Sequence, residues 1–420
     1  MIVIDQLKEN LTFAYQDSEY KREKLVIELE CPLNRDTMTG VSLLGYVLGA
    51  ATDKHQDIVS LSRYLDELFG GSVYVSSSRV GKKMLMHFDI DTVCGEYVMD
   101  HTIGIKAAAL LCEIICDPYL INGAFDKDIV SVEKEKLREE IRFIINNKEE
   151  YCSRMLLKKF FHDSERSLPS LGFEEDIDRL NERDLYDIYY ENTRNCNIRV
   201  FYCGRNKEEI MSLITDVFNE NGIGDHPVTL SYDDIVKLEE PFRIEENVGT
   251  EQEIYSMVFH SGKKESIRDL AALKVANAIF GGMPTSRLFT VIREKLGLCY
   301  SCVSNRMTAG GLGILIEGST SHDRFERNYD AIQEEFNKIQ KEYVTAGELD
   351  AAKLSIINAL KSVTDTVSGV SSHYFASINS IGRYIPPDQE IDLIAAVSEE
   401  DVRNCFKELS FRGISILTNE

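Results

Sequence analysis

The sequence predicts an α+β fold of two similar α/β lobes, each an antiparallel-rich sheet with helices on one face. Three observations carry that reading. A helix–strand–strand pattern recurs at an offset close to 226 residues. Met84, Met86, Phe88 and Ile90 alternate with polar neighbours, the period of a half-buried strand. Phe325, Tyr329, Ile332, Phe336, Ile339 and Tyr343 step by four, three, four, three and four, which lines them along one helical face. Strands far apart in each half, with helices bunched between them, imply a sheet covered on one face.

Taken in order, the first half closes a helix at Phe69-Gly70-Gly71, and strands follow over 72–76 and 83–90. Residues 95–116 and 123–147 read as helices, and 197–203 as a closing strand. The stretch 219–227 is polar, bears Gly and Pro and has no apolar period, as a junction should. The expected domains are therefore an N-terminal lobe over 1–218, a linker over 219–234 and a C-terminal lobe over 235–420. In the second half Lys295-Leu296-Gly297 closes a helix, and strands are expected over 298–303 and 311–316. Residues 325–343 and 345–380 read as helices, and 412–417 as the last strand. Two lobes joined by a tether are a geometry in which ligand sites form at the interface.

Composition excludes several classes. A net charge of -23 over 420 residues argues against nucleic acid, whose phosphates need clustered Lys and Arg. The amino terminus shows no basic region followed by an apolar run, so no signal peptide is expected. The apolar run at 107–112 is broken by Glu113, far short of the roughly 18 residues a membrane span needs. Ten cysteines without framework spacing read as reduced thiols, and a cytoplasmic location is expected. Cys299 and Cys302 have redox or zinc spacing, but they bracket Tyr300 in an expected strand and no second pair completes a zinc site.

The chemistry-bearing motif is the run from Ser286 to Tyr300. Arg293 and Tyr300 lie seven residues apart across a helix end and a Gly turn. A guanidinium and a phenol so placed can converge on one peptide carbonyl. Read alone, the pair is more simply a surface Arg on an amphipathic helix and a core Tyr on a strand.

The run Gly282-Met-Pro-Thr-Ser-Arg-Leu-Phe-Thr-Val-Ile-Arg-Glu-Lys-Leu-Gly-Leu-Cys-Tyr-Ser301 resembles the second-lobe signature of the pitrilysin/insulinase zinc peptidases, which include the mitochondrial processing peptidases. Residues 171–185 resemble the first lobe more loosely, and the likeness covers essentially the whole chain. It is similar in particular to a subgroup of incomplete bacterial homologues called YmfF-like. The resemblance implies the two-lobed metallohydrolase fold shared by the processing peptidases and LuxS. It also implies that Arg293 and Tyr300 serve catalysis and substrate binding, donating hydrogen bonds to the scissile carbonyl. Ser-Arg-Leu-Phe, Arg-Glu-Lys and Gly-Leu-x-Tyr in register favour that role over the simpler reading. Arg287 is read as structural, holding the helix start.

The family's zinc motif, His-x-x-Glu-His, is degenerate here. Leu43 and Val47 occupy the His positions and Tyr46 the Glu position. Aliphatic side chains offer a metal no lone pair, and a neutral Tyr is no general base. Glu133 and Glu140 sit seven apart on one helical face, with Glu140 a remnant of the ligand set or simply a solvated carboxylate. No cofactor is expected in this chain, with zinc carried by a homologous partner subunit. The leading expectation is a non-zinc peptidase subunit acting on peptides, inactive alone because it lacks that motif. The alternative is an inactive structural or peptide-binding scaffold, and a homodimer in isolation is the other assembly considered.

Overall fold

A computed structural model describes residues 2–162, 164–230, 235–263 and 266–418. The chain forms two compact units, each discontinuous in sequence. Unit 1 comprises Met1–Arg142, Leu168–Ser231 and Thr364–Asn379; unit 2 comprises Phe143–Ser167, Tyr232–Val363 and Ser380–Glu420.

Unit 1 holds a six-stranded sheet of β1 (Val3–Lys8), β2 (Leu11–Asp17), β3 (Arg22–Pro32), β4 (Ser72–Val80), β5 (Lys83–Val93) and β6 (Asn197–Gly204), in the order β1-β2-β6-β3-β5-β4. Only β2 and β6 run parallel, Leu11 beside Ile198. On β3, Leu25, Ile27, Leu29 and Cys31 enter the main core, packed against helices Met38–Val47 and Ile103–Cys116. The intervening Val26, Glu28 and Glu30 are buried too. That second face is covered by helix Val367–Ile381, whose Tyr374 and Phe375 rings lie 5.5 and 6.4 Å from Phe201.

Unit 2 repeats this plan with β7 (Phe242–Asn247), β8 (Glu253–His260), β9 (Ser301–Met307), β10 (Gly313–Thr320) and β11 (Ser410–Thr418). Its order, β7-β11-β8-β10-β9, matches β2-β6-β3-β5-β4 strand for strand. The single parallel pair recurs as well, Gly413 beside Phe242. Tyr255, Met257 and Phe259 on β8 enter the core under helices Ile267–Asn277 and Phe325–Lys341. On the other face, helix Lys148–Phe160 lays Leu156 and Phe160 against Val258.

The repeated sheet agrees with the expected α+β duplication, with two differences. Each sheet carries helices on one face and a single additional helix on the other. That helix comes from the sequence half that builds the other sheet, so the units depart from contiguous lobes over 1–218 and 235–420. The stretch 219–227 finishes helix Lys207–Asn221 and is tied back into unit 1 by the Gly224 and His226 amides on Thr193 and Arg194 carbonyls, at 2.8 and 3.0 Å. Residues 231–234 of the expected linker lie outside the described residues.

The 345–380 segment is two helices, Ala346–Ser362 and Val367–Ile381, separated by a short 3-10 turn. No Pro or Gly marks the break. Thr366 starts the second helix by accepting the Gly369 amide on its hydroxyl at 3.0 Å, a cap rather than a breaker. No helix among the described residues is long and apolar enough to cross a membrane.

Candidate functional site

In unit 1, helix Met38–Val47 buries every residue except Tyr46, which is half-buried. An all-round apolar helix belongs inside a core. Gly45 allows it to lie directly on β4, because a Cβ there would press into the Ser77 amide and come within 2.8 Å of the Ser76 carbonyl carbon. Leu43 is fully buried and Val47 nearly so, both within the hydrophobic core. The two positions one helical turn apart are therefore filled with hydrocarbon.

Tyr46 is coupled to helix Lys127–Asn146. Its phenol is pushed up to about 12, by burial first, then by the charge of Glu140, Tyr74 and Glu133. It stays protonated at neutral pH and can donate but not abstract a proton. Glu133 is buried and bonded to Lys136 at 2.7 Å, while Glu140 is exposed. The fold thus gathers Tyr46, Glu133 and Glu140, but Leu43 and Val47 bring no donor. The residues do not fit a zinc ion. Among the described residues no group of three or more His, Cys, Asp or Glu is arranged to hold a metal.

In unit 2, the segment Leu288–Lys295 is wound as a π-helix, the Leu296 amide reaching the Val291 carbonyl at 3.0 Å. Such wide turns recur at functional sites. Leu288 and Ile292 anchor it in the core, and Arg293 projects from the exposed side with its guanidinium 4.7 Å from the Phe289 ring centroid. Gly297 then turns the chain at φ +58°. The strand was expected to start at 298, yet β9 begins at Ser301. The offset between matching strands is accordingly 229 from Ser72 to Ser301 rather than 226. Leu298, Cys299 and Tyr300 form an irregular approach, and Tyr300 is 64% exposed. It does not pack in the core as a strand Tyr would.

Arg287 turns the other way. Its Nε and Nη2 bond the two carboxylate oxygens of Glu348 at 2.7 and 3.0 Å. A cavity of about 610 Å³, lined in part by Asp269, Asp392, Cys405 and Glu408, includes neither Arg293 nor Tyr300.

One feature escaped the sequence reading. On the second face of the unit 1 sheet, His87 lies 3.1 Å from Glu28 and 3.9 Å from Asp89, with Phe375 edge-on at 6.2 Å. Beside it the fully buried Glu30 pairs with Lys83 and, at 2.9 Å, with Arg199. Alternating charge on β3 and β5 was the available signal, but it reads as a solvated face.

Residues 179–356 match the family model described as "Peptidase M16 inactive domain". The "Probable inactive metalloprotease YmfF" of Bacillus subtilis is 25% identical over 390 residues, covering 91% of this chain and 90% of that one. A conserved protein from Enterococcus faecalis has the same fold at a TM-score of 0.89, with 21% identity and 100% and 99% of the two chains covered. The peptidase M16 inactive domain from Pseudomonas fluorescens superposes at 0.79, with 15% identity and 99% and 98% covered. Leu43 and Val47 put hydrocarbon where the zinc motif would have its histidines, and the chain is similar to the M16 peptidases, the pitrilysin/insulinase family, and to proteins described as their inactive relatives.

Proposed function

We propose that this chain is the non-zinc subunit of an M16 peptidase pair, supplying Arg293 and Tyr300 to a peptide-cleavage site completed by a homologous zinc-bearing partner. One observation carries the reading. The zinc positions are sealed into a core, while Arg293 and Tyr300 stand exposed on an irregular segment next to a π-helix. A guanidinium is permanently charged, and both groups donate hydrogen bonds. They suit an oxygen on which negative charge develops as water attacks a carbonyl. Peptide capture fits β4, the terminal strand of its sheet, where main-chain pairing gives sequence-tolerant affinity. The free thiols fit a cytoplasmic setting.

The alternative is a peptide-binding or structural scaffold, favoured by the apolar filling at Leu43 and Val47. Co-purification from the native host, followed by a peptidase assay with and without chelator, separates the two. Chelator-sensitive cleavage that needs both chains supports the paired enzyme. Cleavage by the partner alone at the same rate, or a complex without activity, assigns the scaffold.

A further inference from the structure

A cavity of about 610 Å³ opens between three helices of unit 2, Ile267–Asn277, Pro387–Ala396 and Glu399–Glu408. That volume suits a small ligand. Leu312, Leu393 and Val397 give it an apolar lining, while Asp269, Asp392, Asp401 and Glu408 supply carboxylates. Arg293 and Tyr300 line no part of it, so the site stands apart from any peptidase role.

The fold does not use these carboxylates up. Asp269 and Asp401 each close a capping box, Oδ2 accepting the Ser266 and Ser398 amides respectively, both at 2.8 Å. Their Oδ1 atoms make no hydrogen bond among the described residues, and Asp392 makes neither hydrogen bond nor ion pair there. Glu408 pairs with Lys263 at 3.1 Å. Counting Arg268 in the lining, four carboxylates face two cations, which leaves two negative charges in excess. Cys405 lines the same cavity at 6% exposure, its thiol without a hydrogen-bond partner among the described residues. That thiol is pushed up to about 12, by burial first and then by the Glu408 and Asp269 charges. The negative field therefore reaches a group buried in the cavity wall.

We propose that this cavity binds an aliphatic diamine. Its methylenes lie on Leu312, Leu393 and Val397, and its two ammonium groups meet the unpaired carboxylate oxygens of Asp269, Asp392 and Asp401. A metal ion is a poorer occupant, because among the described residues no group of three or more ligating side chains is arranged for one. Hard cations also take oxygen ligands, and the hydrocarbon lining offers none. A diamine balances the two excess charges and covers the apolar lining with its stem, as a lysine stem does elsewhere on protein surfaces. The same chemistry is carried by a free diamine or by neighbouring lysine side chains of a peptide.

The test is equilibrium dialysis of the full chain against diaminobutane at physiological salt and neutral pH. One saturable site is expected, with aminobutane, the matching monoamine, binding more weakly. Asp392→Asn should weaken the diamine about fivefold. Asp350→Asn makes the same charge change on exposed surface outside the cavity and should leave binding unaltered. Ala396→Phe keeps the charge, fills the cavity and should abolish binding. Trilysine that binds more tightly than diaminobutane, with the same loss in Asp392→Asn, assigns the site to a basic peptide segment. Weaker binding of trilysine assigns it to the free diamine. No saturable binding of either ligand overturns the proposal. So does equal weakening by Asp392→Asn and Asp350→Asn, the mark of general attraction to a chain of net charge -23. Undiminished binding to Ala396→Phe overturns it as well.

Discussion

The Arg287 guanidinium grips both oxygens of Glu348, and the same carboxylate accepts the Thr345 amide at 2.8 Å to cap helix Ala346–Ser362. One carboxylate thereby ties the start of the Arg293 segment to the start of helix Ala346–Ser362. Burial pushes the Glu348 carboxyl up, but the Arg287 and Thr345 bonds outweigh it and hold it down at about 2. An unfolded Glu titrates near ~4.3. The stabilisation is therefore complete above about 4.3 and is lost as pH falls toward 2. Glu348→Gln should cost about 1–2 kcal/mol at pH 7, allowing for solvent screening, and much less near pH 2.5. Urea unfolding of both proteins at the two pH values checks this; a gap that stays constant removes the ion pair from the explanation.

His87 predicts the opposite slope. Burial alone would depress its imidazole, but Asp89 and Glu28 overcome that and raise it to about 9. The group is charged when folded at neutral pH, whereas an unfolded His titrates near ~6.5. Its contribution is full below that value and is lost as pH rises through about 9. His87→Gln should destabilise by about 1–2 kcal/mol at pH 6 and by little at pH 10. Thermal melts across that range, with the ring titrated by NMR, read both numbers. An imidazole that titrates below 7 in the folded protein would rule the network out as its cause.

A third expectation concerns helix Met38–Val47. Gly45→Ala adds one methyl group, and helix propensity alone would make it stabilising by about 1 kcal/mol. Here that methyl meets β4 backbone, which cannot swing aside as a side chain would. Overpacking of this kind costs about 1–3 kcal/mol, so the net change should be a loss. A rise in melting temperature would show that the helix can lift off β4 at no cost.

Much of the fold was legible. Period-two alternation located β5, and the four-three stripe located helix Phe325–Lys341, in which Phe325, Ile332, Phe336 and Ile339 are buried as expected. Tyr343 falls beyond the helix end and is half exposed, with Arg403 4.5 Å from its ring. What local pattern cannot show is pairing across hundreds of residues. Glu28 and Glu30 look like a solvated sheet face because nothing near β3 announces a helix at 367–381. The irregular residues 298–300 were equally hidden. Apolar Leu298 and Cys299 continue a plausible strand, and only the Gly297 turn geometry delays the ladder.

That delay matters most for Arg293 and Tyr300. Because both are exposed, replacing either should leave stability nearly unchanged, within about 0.5 kcal/mol. Arg293→Ala and Tyr300→Phe can therefore be read without the confounding loss of fold expected for Arg287→Ala. If these groups stabilise charge on a substrate oxygen, each change should lower kcat/KM of the reconstituted pair about 100-fold or more. The affinity between the two chains should not move. A fall in kcat at unchanged KM would place the loss in the transition state, and a rise in KM alone would make the residues peptide-holding groups. Unaltered turnover in both variants, with the complex intact, would leave the exposed pair without a part in cleavage and would favour the scaffold.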